Sequence, residues 1–209
     1  MWVKICGITN LADGEAAVAS GADALGFVFA PSKRRIEPAL AREIIWRLPA
    51  EVEKIGVFVE ETLSRVREIA AYCGLTGLQL HGEETPEYLT YLKDYDLIKS
   101  FRMNSQTDFV KIKDYIVQSS VNRILLDSFV PGQWGGTGKT FSWESLADCN
   151  WGGIQVIIAG GLNPENVSEA IRLGKPAGVD VSSGVEKEPG RKDLVLLRKF
   201  IERAKGGLC

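Results

Sequence analysis

The sequence predicts an α/β fold, a single (β/α)8 TIM barrel of eight parallel strands with outer helices, and three observations predict it. Short β-rich runs alternate with helical patterns along the whole 209-residue chain. Several runs are continuously apolar, as in Leu25-Gly26-Phe27-Val28-Phe29 and Val156-Ile157-Ile158, which is how parallel strands read when both faces are covered. Polar and glycine-rich residues cluster just after the runs, and a barrel builds its active site on that edge. An open doubly wound sheet is the competing architecture. Eight βα units in this length sit at the lower limit for a barrel, whereas an open sheet more often has fewer strands. No Pro/Gly/Ser-rich linker divides the chain, so residues 1–209 read as one domain.

Strands are expected at 3–5, 24–29, 54–59, 77–80, 97–101, 123–126, 155–158 and 178–181. In the fourth, alternation aims Gln79 and His81 at one face. Helical patterns fall between them. Residues 11–20 end at Gly21. Residues 38–48 begin with Pro38, suited to a first turn. Residues 62–72 set Leu63, Val66, Ile69 and Ala70 on one face. Thr85 is the N-cap of a helix opening at Pro86. Residues 166–173 stop at Gly174, and 193–205 place Leu194, Leu197 and Ile201 on one side.

Composition narrows the function classes. Hydrophobic residues at 45% and charged residues at 25% describe an ordinary globular protein. A net charge of -2 offers no basic field for nucleic acid or an anionic membrane. Cys6, Cys73, Cys149 and Cys209 are scattered, with no CxxC pair and a single histidine, so neither a disulfide framework nor a zinc site is indicated. The first residues lack a signal-peptide pattern, and no apolar run reaches bilayer length. The expectation is a reduced cytoplasmic protein, monomer or homodimer.

The segments after the last three strands carry the phosphate argument. They are 135–140 with Gly136, Ala159-Gly160-Gly161-Leu162-Asn163, and Val181-Ser182-Ser183-Gly184-Val185. Glycine lets backbone N–H groups approach an anion, serine adds donors, and barrels often bind phosphate after strands seven and eight. The 135–140 segment lacks Walker A spacing. Cys6 ends the first strand and reads as a small buried hydrophobe or as a pocket-facing thiol. Lys4 shares its face, and its ammonium is expected to favour thiolate. Asp127 follows three apolar residues, and burial at a pocket rim would raise its pKa and suit it to general-acid work. Arg34 and Arg35 read as solvated charges or as a carboxylate clamp. His81 reads as a rim residue or a catalytic base. Asp180 reads as an ion-pair partner of Lys4 or a contact for a substrate hydroxyl.

These segments together resemble the phosphoribosylanthranilate isomerase family of tryptophan biosynthesis. The resemblance runs the whole length through Lys4-Ile5-Cys6-Gly7-Ile8-Thr9, Ser32-Lys33-Arg34-Arg35-Ile36, Gln79-Leu80-His81-Gly82, Leu125-Leu126-Asp127, Ala159-Gly160-Gly161-Leu162-Asn163-Pro164 and Val179-Asp180-Val181-Ser182-Ser183-Gly184. It implies a barrel without a cofactor that acts on a small phosphorylated substrate by an Amadori rearrangement. It also implies roles: Cys6 as general base, Asp127 as general acid, and Arg34, beside Arg35, on the anthranilate carboxylate. Gly161 and Ser182 through Gly184 would hold the phosphate. Where the family often has proline, this chain has Lys33. The histidine-pathway isomerases run a related rearrangement with paired aspartates, and here Cys6 occupies the first of those positions. A non-catalytic ligand-binding barrel and a thiol redox protein are the readings from other classes. The redox reading lacks a resolving cysteine near Cys6.

Overall fold

Alternation with period two divides each barrel strand between a helix-covered face and a barrel interior. The computed structural model describes residues 1–103, 109–119, 121–127 and 143–206. Its strands are β1 Trp2–Cys6, β2 Ala24–Val28, β3 Glu53–Phe58, β4 Gly77–Leu80, β5 Asp96–Arg102, β6 Arg123–Asp127, β7 Gln155–Ala159 and β8 Gly178–Val181. They pair in parallel and in chain order, and β8 returns to β1 to close the barrel. The fold class read from the sequence is therefore the observed one.

The helices are α1 Leu11–Ala19, α2 Pro38–Ile45, α3 Leu63–Cys73, α4 Pro86–Thr90, α5 Phe109–Ser119, α6 Glu144–Ala147, α7 Val167–Gly174 and α8 Leu194–Ala204. Side chains cap several N-termini, each satisfying an orphan backbone donor. Asn10 accepts from Asp13 N, Thr62 from Arg65 N, and Asp193 from Val195 N and Leu196 N. Two boundaries differ in kind from expectation. First, neither α5 nor the four-residue α6 is delimited in sequence, although the buried Ile112 and Ile116 of α5 stand one turn apart. Second, α7 continues through Gly174, and the left-handed cap is Lys175 (φ 45°). Gly174 serves close packing instead, since a Cβ there would lie 2.7 Å from Ile158 Cδ1.

Outward-facing Val3, Ile5, Leu25, Phe27, Leu78, Leu80, Ile124, Leu126, Ile158 and Val179 pack under the helices. Inward-facing Ala24, Ile55, Ile98, Leu125, Ile157 and Ala159 fill the barrel. At the strands' N-terminal end Arg123 grips Glu53 through Nη1 and Nη2 at 2.9 Å each, and Trp2 Nε1 donates to Glu53 at 2.9 Å. Polar groups thus plug the bottom of the barrel, and the opposite end stays open. After β8 a small antiparallel hairpin forms, β9 Glu186–Glu188 with β10 Arg191–Lys192. Its strands are too short for a periodic signal, and only Pro189-Gly190 marks the turn. Lys192 N donates to Asp13 Oδ2 (2.9 Å) and Thr9 Oγ1 donates to Gly190 O, which sew the hairpin to the segment after β1.

Phe27 has no exposed surface and packs in the layer between β2 and the helices. Replacing it with alanine is expected to cost about 3–5 kcal/mol. Thermal unfolding monitored by circular dichroism should then fall by roughly 6–20 °C. An unchanged midpoint would mean that the layer does not depend on this ring.

Candidate active site

The inward side chains of the last layer before the open end form the floor of a cavity of about 540 Å³. They come from different strands and carry unlike chemistry: Cys6 from β1, Val28 from β2, Val57 from β3, Gln79 from β4, Asp127 from β6 and Asp180 from β8. Segments after the strands add Arg34, His81, Gly160, Gly161, Ser182 and Ser183 to the walls.

On one side lies Cys6, 8% exposed. Gly26 on the neighbouring strand leaves room for it, since a Cβ there would lie 2.8 Å from Cys6 Sγ and 3.1 Å from Lys4 Cε. Lys4 and Asp180 are register partners across β1 and β8 and form a buried ion pair at 3.0 Å. Lys4 pulls the Cys6 pKa down, as expected from its shared face, but the net shift is upward. Burial, which disfavours the thiolate, pushes the thiol up, and Asp180 reinforces it against the attractions of Lys4 and Lys192. Lys4 fails to win because burial of the thiol outweighs its attraction, and the Asp180 carboxylate at contact distance adds to burial.

Across the floor is Asp127. Burial first, then the Asp180 charge, pushes its carboxyl up to about 6, with Arg102 opposing. The expectation of a raised acid is met here, with the cause foreseen. His81 Nε2 stands 3.5 Å from Asp127 Oδ2. Burial and the surrounding cations Arg102, Lys4 and Lys99 pull His81 down to about 4, so the imidazole is neutral near pH 7. Gln79 Nε2 lies 3.4 Å from His81 Nδ1. An amide NH2 facing Nδ1 makes that nitrogen the acceptor, which places the ring proton on Nε2, toward Asp127. The His81 segment is itself fixed. Glu84 accepts from Gly82 N and Glu60 N at 3.1 Å and pairs with buried Lys99 at 2.9 Å.

The third wall is cationic. Arg34 Nε and Nη2 grip Glu186 at 2.8 and 2.7 Å. Lys192, 2% exposed, donates to Cys6 O (2.6 Å), Ser182 O (3.1 Å) and Glu186 Oε1 (3.0 Å). Arg35 turns outward to Glu37, with half of its side chain exposed. Two buried polar atoms of the cavity, Gln79 Oε1 and Ser182 Oγ, have no hydrogen-bond partner among the described residues. Such atoms are costly inside a protein, and both belong to residues that line the cavity.

Of the residues singled out in sequence, Cys6, Arg34, Gln79, His81, Asp127, Gly160, Gly161, Asp180, Ser182 and Ser183 line this one cavity. Gly184 does not. A Cβ at Gly184 would lie 1.8 Å from Leu162 O, so the glycine lets the segments after β7 and β8 touch. Gly136 lies outside the described residues, as does the rest of 135–140. Three contributors escaped the sequence reading: Arg102, Glu186 and Lys192. Arg102 shares strand parity with Ile98 and was one residue beyond the expected end of β5. Glu186 and Lys192 depend on a hairpin without periodicity. Among the described residues no group of three His, Cys, Asp or Glu is placed to hold a metal ion, and no helix is long and apolar enough to cross a membrane.

Residues 3–203 match the family described as N-(5'phosphoribosyl)anthranilate (PRA) isomerase. The N-(5'-phosphoribosyl)anthranilate isomerase of Desulforudis audaxviator is 48% identical over 208 residues, 99% of this chain and 98% of its own. The crystal structure of phosphoribosyl anthranilate isomerase from Thermotoga maritima matches with a TM-score of 0.88 at 43% identity and 99% coverage of each chain. Another structure of such an isomerase, in complex with reduced 1-(o-carboxyphenylamino)-1-deoxyribulose 5-phosphate, matches with a TM-score of 0.85 at 40% identity, again covering 99% of each.

The charge arrangement around Cys6 has an observable sign. Lys4→Met removes the attraction and should move the Cys6 thiol titration to higher pH, whereas Asp180→Asn removes the repulsion and should move it lower. The pH dependence of iodoacetamide alkylation at Cys6 reads both. Identical midpoints in the two variants would show that the pair does not govern the thiol.

Proposed function

The chain belongs to the N-(5'-phosphoribosyl)anthranilate isomerase family, and from that premise we propose how its cavity divides the work of the reaction. The isomerisation converts N-(5-phosphoribosyl)anthranilate into 1-(2-carboxyphenylamino)-1-deoxyribulose 5-phosphate, an aldose-to-ketose step in tryptophan biosynthesis. One observation carries the assignment: a carboxyl group held up to about 6 faces the same small cavity as a buried thiol, with an ion pair between them.

Asp127 in its acid form donates a proton to the furanose ring oxygen. The C1′–O bond breaks, and the anthranilate nitrogen lone pair forms the iminium C1′=N. That cation acidifies the C2′ proton. Cys6 as thiolate removes it, giving an enolamine that tautomerises to the ketone. The substrate's carboxylate is assigned to Arg34. Its phosphate is assigned to the Gly160-Gly161 backbone and the Ser182 and Ser183 segment. The free thiols of Cys6, Cys73 and Cys149 suit a reducing, cytoplasmic setting.

Both reacting groups are raised, so near neutral pH the prevailing form holds its proton on sulfur and leaves Asp127 ionised. The working form moves that proton to Asp127. The two forms bind the same number of protons, so their ratio does not change with pH between the two pKa values. Once the ring opens, the iminium adds its attraction to those of Lys4 and Lys192, and the thiolate is stabilised when it is needed.

Activity is measured by forming the labile substrate in situ from ribose 5-phosphate and anthranilate and following loss of its fluorescence. Decay no faster than the spontaneous background would overturn the assignment. Cys6→Ala and Asp127→Asn should each lower kcat by about 10²–10⁴-fold, with little change in KM. In the wild type, kcat/KM should be flat from above the Asp127 value of about 6 to the raised Cys6 value. In Asp127→Asn, with thiolate the remaining requirement, residual kcat/KM should climb about tenfold per pH unit over that range. The substrate phosphate titrates below this window and does not interfere. Parallel profiles for the two proteins would contradict the assigned roles.

A further inference from the structure

Arg34 reaches the cavity as a side chain already half engaged. Its Nε–H and one Nη2–H are aimed at Glu186 as a parallel fork, at 2.8 and 2.7 Å. A guanidinium has five N–H donors in one plane. Both protons of Nη1 and the second of Nη2 are left, and one proton from each of these nitrogens forms a second fork at the end of the group. Nη1 has no hydrogen-bond partner among the described residues. Glu186, its side chain 4% exposed, is in turn fixed from the other side by Lys192 at 3.0 Å and by Gly190 N at 3.3 Å. Lys192 donates to three oxygens, the full complement of an ammonium.

We propose that Glu186 is the positioning residue for substrate-carboxylate recognition: it occupies the Nε–Nη2 edge of Arg34 and so presents the Nη1–Nη2 end to the anthranilate carboxylate. The inference rests on the assignment of Arg34 to that carboxylate. It adds the residue that aims the guanidinium and the reason the site still attracts an anion. An Arg–Glu pair alone would be neutral. Lys192 on the same carboxylate leaves the three side chains with one net positive charge. The same lysine ties the assembly to the backbone of Cys6 and Ser182, so the carboxylate clamp, the base and the phosphate segment share one anchor. Removing the Glu186 charge adds net positive charge, which by itself would strengthen anion binding. Orientation outweighs it. A bidentate contact needs two parallel N–H vectors, whereas added charge beside a solvent-filled cavity is screened.

The test compares two substrates formed in situ from ribose 5-phosphate, one with anthranilate and one with aniline, which differ by the carboxylate alone. Turnover of both is followed by chromatography, and the readout is the ratio of their kcat/KM values. Arg34→Met should collapse the ratio. Glu186→Gln should lower it by about tenfold or more, as expected for loss of a hydrogen bond to a charged group, with the loss falling in KM for the anthranilate substrate. Glu186→Asp keeps the charge and withdraws the carboxylate by one methylene, and it should lower the ratio in the same direction. It also serves where the Gln variant does not fold. Arg34→Met combined with Glu186→Gln should be no worse in ratio than Arg34→Met alone. If Arg34→Met leaves the ratio unchanged, the assignment of Arg34 itself fails. If Arg34→Met collapses it while the Glu186 variants preserve or raise it, or slow both substrates equally, the positioning role is overturned and the Arg34 assignment stands.

Discussion

The Lys4–Asp180 ion pair is the constraint on which the rest of this molecule turns. The two residues are register partners where β8 meets β1, so the pair lies on the seam that closes the barrel. Burying two charges is worthwhile only when each has the other at contact distance. Once made, the pair fixes the electrostatics of everything above it. Cys6 sits next on the same strand face as Lys4, and Asp127 lies within the field of Asp180. Lys4 lowers the Cys6 pKa and Asp180 raises it, so the pair's two charges largely offset each other at the sulfur and burial sets the direction, toward the protonated thiol.

That property suits a reaction whose charge appears only in mid-course. A resting thiolate would be an exposed nucleophile before substrate arrived. In this cavity the thiol and the carboxyl are pushed in the same direction, chiefly by burial, and the neutral His81 adds no charge beside the acid. In the proposed mechanism the cation formed by ring opening adds to the attractions of Lys4 and Lys192 when the carbon is deprotonated. Preorganisation resides in the aimed dipoles and forks instead: Gln79 orienting His81, Glu186 orienting Arg34, and Lys192 binding the Cys6 and Ser182 carbonyls into one unit.

The barrel was legible in sequence because period-two alternation and apolar runs are dictated by burial, which acts on residue type directly. All eight strands fell within a residue or two of their observed limits. The cavity floor followed from the same parity, as Cys6, Gln79, Asp127 and Asp180 are inward residues at strand ends. What escaped depends on distance between side chains rather than on pattern. Lys4 was visible beside Cys6, but its neutralisation by a residue 176 positions away was not given its electrostatic weight. Arg102 was lost to a strand end placed one residue short. Gly184 and Gly174 were read for their conformational or ligand roles, whereas each is small so that backbone or side chain can approach. Glu186 and Lys192 sit on strands of three and two residues, below any periodic signal.

The resting cavity keeps Cys6 protonated near neutral pH, before the substrate brings its own positive charge. Carbon-13 NMR of protein labelled at the cysteine β-carbon, with the Cys6 signal assigned by its loss in Cys6→Ala, reads the ionisation of that sulfur directly. Near neutral pH and without substrate, the signal should have the chemical shift of a thiol, with thiolate appearing only in the alkaline range. A thiolate signal in the free protein near neutral pH would contradict it.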